Sequence, residues 1–162
     1  MTVIAAYWTE KSASIGGDCG AFDVDSDLLQ KSTIPKVWSG PDYLVGVAGV
    51  QRAINVGQHL YVSNPYAFAA EMMKANIEGD WVALMVCKSG VWHVDNAGSV
   101  FHFAEPYGAI GSGQAVALGA LAAVHLMTPE VKTATAVNIA LDAAGSHTAS
   151  CIPPYKVLTQ FF

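Results

Sequence analysis

Short apolar runs separated by polar breaks set the pattern of the first third of the chain. Residues 3–7 and 12–17 are apolar and are parted by Thr9-Glu10-Lys11, which predicts two paired strands, the first opening at the N-terminus. Residues 18–31 mix Gly, Asp and Ser with single apolar positions and read as a loop. An apolar strand over 43–47 ends at Ala48-Gly49, and Ile54, Val56, Leu60 and Val62 continue at helical spacing. A second helix is expected over 65–76, with Pro65 as its first residue and Asn64 as its cap. Residues 81–87, 91–95 and 99–103 predict a meander of three strands joined by Lys88-Ser89-Gly90 and Asn96-Ala97-Gly98. Residues 107–110 lead into Gly111-Ser112-Gly113, which opens an almost wholly apolar helix over 114–127. Thr128-Pro129-Glu130 reads as the cap and first turn of a last helix reaching about residue 144, and a C-terminal tail follows.

Helix pairs that alternate with antiparallel strands, each helix apolar enough to be covered on two sides, predict an α+β sandwich of packed sheets flanked by helices, in one domain over residues 1–162. A doubly wound parallel sheet fits poorly, because tight turns rather than helices join the central strands.

Composition adds a partner to this picture. Hydrophobic residues make up 52% of the chain and charged ones 13%, where a soluble domain carries about 25% charged residues. So few charges leave part of the surface to be covered by other subunits. The longest apolar run, residues 115–124, is far short of the roughly 20 residues that cross a bilayer. No basic leader precedes the first apolar stretch, so the expected compartment is the cytoplasm. Cys19, Cys87 and Cys151 are odd in number and widely spaced, against a disulfide framework or a zinc site. The net charge of -5 with no basic stretch argues against nucleic acid as a partner.

Several familiar chemistries are excluded. Ser112 lacks the glycines two before and two after that mark the esterase elbow. Gly111-x-Gly113 has Val116 where a dinucleotide fingerprint needs a third glycine, and no phosphate loop is present. The five histidines show no ligand spacing. No cofactor or metal is expected.

A set of short motifs remains. Thr2-Val3-Ile4 opens the first strand, and Ile15-Gly16-Gly17-Asp18 brings an aspartate sixteen residues after Thr2. Lys36-Val37, Val47-Ala48-Gly49, Ala109-Ile110-Gly111-Ser112-Gly113 and Leu141-Asp142-Ala143-Ala144-Gly145 follow in order. Singly these are weak; jointly, the chain from Thr2 to about Gly145 resembles proteasome β-type peptidases, and most closely the peptidase subunit of the bacterial two-component ATP-dependent protease. Cys19-Gly20-Ala21-Phe22 departs from that family's usual segment, and residues 146–154 do not align with it.

The resemblance implies the αββα sandwich of N-terminal-nucleophile hydrolases, threonine-type hydrolysis of peptide bonds, and a homo-oligomer of stacked six- or seven-membered rings served by an ATP-dependent unfoldase. It assigns Thr2, Asp18, Lys36, Gly49, Ser112 and Asp142 to catalysis, and Ala21, Phe22, Val47 and Gln51 to the pocket for the residue preceding the cut.

The chemistry asks for these residue types. A threonine hydroxyl needs a base within hydrogen-bond reach. Once Met1 is removed, the α-amine of Thr2, with a reference pKa of about 7.7 to 8.0, can serve. A nearby ammonium, Lys36, favours the neutral amine and the developing alkoxide, with Asp18 holding it charged and oriented. A glycine N–H at Gly49 would bind the oxyanion; Ser112 and Asp142 would position the amine. The plainer readings are an ordinary loop ion pair for Asp18 and Lys36, contributing little to stability, a helix-start glycine for Gly49 and a solvated helix residue for Asp142. Two rival functions stay open: a non-catalytic scaffold subunit of the same fold, favoured if Met1 is retained, and an N-terminal-nucleophile amidase acting on small molecules.

Overall fold

The computed structural model describes residues 2–23, 28–31, 35–148, 151 and 153–162, with only the backbone described at 20–23 and 28–31. Two sheets stack face to face. The first has the order β10-β1-β2-β11, built from β1 (Val3–Trp8), β2 (Ser12–Asp18), β10 (Tyr107–Gly111) and β11 (Tyr155–Phe161). The second runs β5 (Val37–Ser39), β6 (Tyr43–Gly49), β7 (Trp81–Cys87), β8 (Gly90–Asp95) and β9 (Val100–His102). Every neighbouring pair in both is antiparallel. Helices α1 (Gln51–Gln58) and α2 (Pro65–Lys74) cover the second sheet, and α3 (Gln114–Met127) and α4 (Thr133–His147) cover the first. The expected αββα sandwich is the architecture observed.

Because each sheet is covered on both faces, its central strands are apolar on both, and the two-residue period decides which layer each side chain enters. In β1, Val3, Ala5 and Tyr7 pack against α3 and α4, while Ile4 and Ala6 enter the layer between the sheets. In β6, Tyr43, Val45 and Val47 face α1 and α2, and Leu44 and Ala48 face β1. Gly16 of β2 lets α4 settle onto the sheet: a Cβ there would lie 2.8 Å from Leu141 and Val137 and 2.9 Å from Val157. Gly16→Ala should therefore lower stability by roughly 1–3 kcal/mol through overpacking, read as a lowered denaturation midpoint at unchanged slope.

Several boundaries differ from expectation, each for a tertiary reason. Within the stretch read as a loop, β3 (Gly20–Asp23) and β4 (Leu28–Lys31) form a small antiparallel hairpin. The helix expected through Val62 stops at Gln58; Leu60 and Val62 turn back onto the core under α1 and α2, where the Tyr43 hydroxyl donates to the Leu60 carbonyl at 3.3 Å. Asn64 caps α2 as expected, accepting from Ala67 N–H at 2.9 Å. Thr128 does not start α4: residues 128–131 form a turn closed by Val131 N–H to the Thr128 carbonyl, and the helix begins at Thr133. Thr133 is 3% exposed, its hydroxyl 2.8 Å from that of Ser14, so a tie to β2 sets the start of the helix. The expected tail holds β11, whose Val157 packs toward α4 and Leu158 toward the second sheet.

Candidate active site

Thr2 immediately precedes β1 and is 5% exposed. β1 pairs with β2 in a register that sets Ile4 opposite Gly17, which brings Asp18 to the start of β1. The Asp18 carboxylate accepts from Val3 N–H at 2.9 Å and is itself fully buried. Lys36, just before β5 and 5% exposed, donates from Nζ to Thr2 Oγ1 at 2.6 Å and to Asp18 Oδ2 and Oδ1 at 3.2 and 3.3 Å. One ammonium thus joins the hydroxyl to a buried carboxylate.

The other side of Thr2 is held by the turn after β10. Thr2 N donates to Ser112 Oγ at 3.1 Å, Ser112 Oγ donates to the Thr2 carbonyl at 3.2 Å, and Gly113 N–H reaches the same oxygen at 3.4 Å. Gly111 makes this approach feasible: its φ is +91°, and a Cβ would collide with the Thr2 carbonyl oxygen. Gly49 has φ +124° and its missing Cβ would strike the Asp80 carbonyl, so the turn out of β6 excludes any side chain beside Thr2. Thr2, Gly49, Gly111 and Ser112 line one cleft of about 510 Å3.

The structure therefore brings Thr2, Asp18, Lys36, Gly49 and Ser112 together. The ion pair is not a solvated loop contact: both partners are buried, and the structure corrects the expectation that Lys36 contributes little to the fold. Removing one member of a buried pair typically costs 3–5 kcal/mol. Asp142 is exposed on α4 and makes no hydrogen bond to Thr2 or Ser112. Its nearest influence is on Tyr155, whose hydroxyl is raised above the usual range by burial and by the charges of Asp142, Cys151 and Asp18. Val47 lies fully buried under α1 and α2 and does not reach the cleft. Gln51 is exposed at the start of α1, where its side chain donates to Asn55. The side chains of Ala21 and Phe22, and Met1, lie outside the described residues.

Tyr155 escaped the sequence reading because β11 did; it stands opposite Asp18 in the ladder, and its hydroxyl occupies the space that a side chain on Gly145 would take. Asp80 just before β7, and His93 and Asp95 on β8, also line the cleft, at positions where alternation alone marks no site.

No protein-family model and no curated protein matches the chain. Solved structures do match along nearly its whole length. BPH from Thiobacillus denitrificans in complex with epoxomicin superposes with a TM-score of 0.78 at 15% identity, covering 98% of each chain. HslV from Trypanosoma brucei gives 0.76 at 16% identity, again over 98% of both. The Gly-1 mutant of Anbu from Hyphomicrobium sp. strain MC1 gives 0.72 at 12% identity, covering 99% of this chain and 82% of its own. The fold shared with these structures is the αββα sandwich of the N-terminal-nucleophile hydrolase type.

Proposed function

We propose that the chain is a threonine-type endopeptidase subunit that hydrolyses peptide bonds through an acyl-enzyme on Thr2. The observation that carries this reading is the 2.6 Å bond from Lys36 Nζ to Thr2 Oγ1, backed by buried Asp18, at the residue that becomes the N-terminus when Met1 is lost. The free α-amine takes the hydroxyl proton directly or through a water as Oγ1 attacks the scissile carbonyl, and Lys36 favours the alkoxide by charge. The Gly49 N–H stabilises the oxyanion, and Ser112, whose Oγ already accepts from the Thr2 nitrogen, orients the amine once Met1 is lost. The amine then protonates the departing amine of the substrate, and water resolves the ester. Asp142 acts at most at longer range, through Tyr155.

Incubation of Met1-free protein with mixed peptides tests this reading: new fragments with a free carboxyl support it, and an inert, fully processed protein supports the scaffold instead. Epoxomicin, held by the Thiobacillus denitrificans neighbour, offers a second probe; binding should appear in intact mass or thermal shift for processed protein and be lost in Thr2→Ala. Asp18→Asn should lower kcat/KM by about 10-fold or more, because a neutral partner orients Lys36 less firmly; wild-type turnover in that variant would remove Asp18 from the mechanism.

The ring belongs to the same proposal. On α3, Leu126 and Met127 are 81% and 83% exposed, an apolar end that a second subunit would cover. Six or more 17.0 kDa chains should sediment together at about 100 kDa or above; a 17 kDa species at micromolar concentration would refute the ring and favour the amidase. Docking of an ATP-driven unfoldase and a cytoplasmic site of action complete the reading; no helix among the described residues is long and apolar enough to cross a membrane.

A further inference from the structure

The cleft that Thr2 opens onto continues between the sheets toward β8, and its charge is one-sided. Val82 and His93 form the wall beyond Thr2, Asp80, Asp95 and Asn96 form its rim, and no lysine or arginine lines it among the described residues. Asp95 is set by N–H bonds from Ala97 and Ser99 at 3.0 and 2.9 Å, and Asp80 by the Asn96 amide at 3.1 Å. Burial works to raise the Asp95 carboxyl, but the bonds from Ser99 and Ala97 outweigh it and hold the group below its ordinary range. His93 stacks on Phe101 with centroids 4.3 Å apart, and its Nδ1 is buried without a hydrogen-bond partner among the described residues. Burial depresses its imidazole despite the nearby Asp95 charge, so at neutral pH the ring is uncharged and adds no positive charge beside the two carboxylates.

We infer that this cleft selects a lysine or arginine side chain close to the scissile bond, on the side of Thr2 that faces β8, with Asp80 and Asp95 as specificity determinants. The inference rests on the peptidase reading of Thr2. A cationic side chain entering on the β8 side meets two carboxylates and a neutral imidazole, while the Lys36 ammonium lies behind Thr2 and is paired with Asp18; an acidic one meets two like charges. Complementary charge at the mouth of a site contributes to selection more than to raw affinity and weakens with salt.

Internally quenched peptides that differ at one position, carrying Lys, Gln or Glu at each site flanking the cut, measure this directly. At one such site kcat/KM for Lys should exceed that for Glu by about 10-fold or more at low ionic strength. In Asp80→Asn/Asp95→Asn that ratio should fall toward 1. Asn retains the acceptor oxygen each turn uses, and a circular dichroism spectrum checks the fold. An equal Lys/Glu ratio in both proteins, or a preference for Glu, overturns the inference. Fluorescence anisotropy of labelled Lys and Glu peptides on the Thr2→Ala variant separates the two readings. Tighter Lys-peptide binding that needs Asp80 and Asp95, without hydrolysis by the parent protein, would keep the cleft and reject the peptidase; hydrolysis with no charge preference would do the reverse.

Discussion

Protein from which Met1 has been removed will cleave peptides, and protein that retains it will not, the difference reaching the loss of detectable turnover. With Met1 in place the nitrogen of Thr2 belongs to an amide and has no basic lone pair, so the hydroxyl has no general base of its own. Lys36 cannot substitute, because it is held at 3.2 Å against Asp18 as an ammonium and presents protons, not a lone pair, to Thr2 Oγ1. Loss of Met1 changes little else: the N–H bond from Thr2 to Ser112 and the grip of Ser112 and Gly113 on the Thr2 carbonyl can be made by amine or amide alike. The two forms differ by one methionine in mass and are separable, so turnover can be assigned to each. Thr2→Ala should be inert in both. Equal activity with and without Met1 would refute the N-terminal threonine mechanism.

The second large effect is expected at Lys36, where activity and stability separate. Lys36→Met should reduce kcat/KM by about 100-fold or more, the scale of removing one preorganised group aimed at developing charge. It should also destabilise the fold by roughly 3–5 kcal/mol, because the fully buried Asp18 carboxylate loses the ammonium it is paired with. The double variant Lys36→Met/Asp18→Asn removes both charges and leaves an amide oxygen to accept from Val3 N–H, as the carboxylate does now at 2.9 Å. Stability should largely return while activity stays lost. Denaturation midpoints beside peptide turnover for the three proteins check this, and a double variant as active as the parent would remove the ion pair from the chemistry. A surface pair would show no such pattern, since exposed ion pairs contribute about 0–1 kcal/mol.

Much of this protein was legible without coordinates, because its determinants are local. Runs such as 3–7, 43–47 and 81–87 are apolar at every position, which only a strand covered on both faces tolerates over so short a length. Asn64 before Pro65, and the tight turns at Ser89-Gly90 and Ala97-Gly98, place a helix start and two strand ends through backbone chemistry of their own. Thr2, Asp18, Lys36, Gly49 and Ser112 were picked out by the resemblance to proteasome β-type peptidases and not by local chemistry; the ladder between β1 and β2 then makes the spacing from Thr2 to Asp18 a distance in space.

What lay beyond the sequence depends on contacts between distant segments. α4 begins at Thr133 and not near Thr128 because hydroxyls on β2 hold it there, and no cap rule reads across 119 residues. β11 is a strand because the edge of β2 offers it seven partners; alone, its mixed polarity and the prolines before it describe a tail. Val47 and Ala48 are neighbours in one apolar strand, and only the stacking of the sheets decides that Val47 enters the layer under the helices while Ala48 reaches the cleft. The burial of Lys36 and Asp18, which turns a loop ion pair into a structural one, and the meeting of Asp80, His93 and Asp95 on the wall beyond Thr2 were likewise decided by packing. Chain order fixes which residues alternate, but desolvation and field depend on what packs around them.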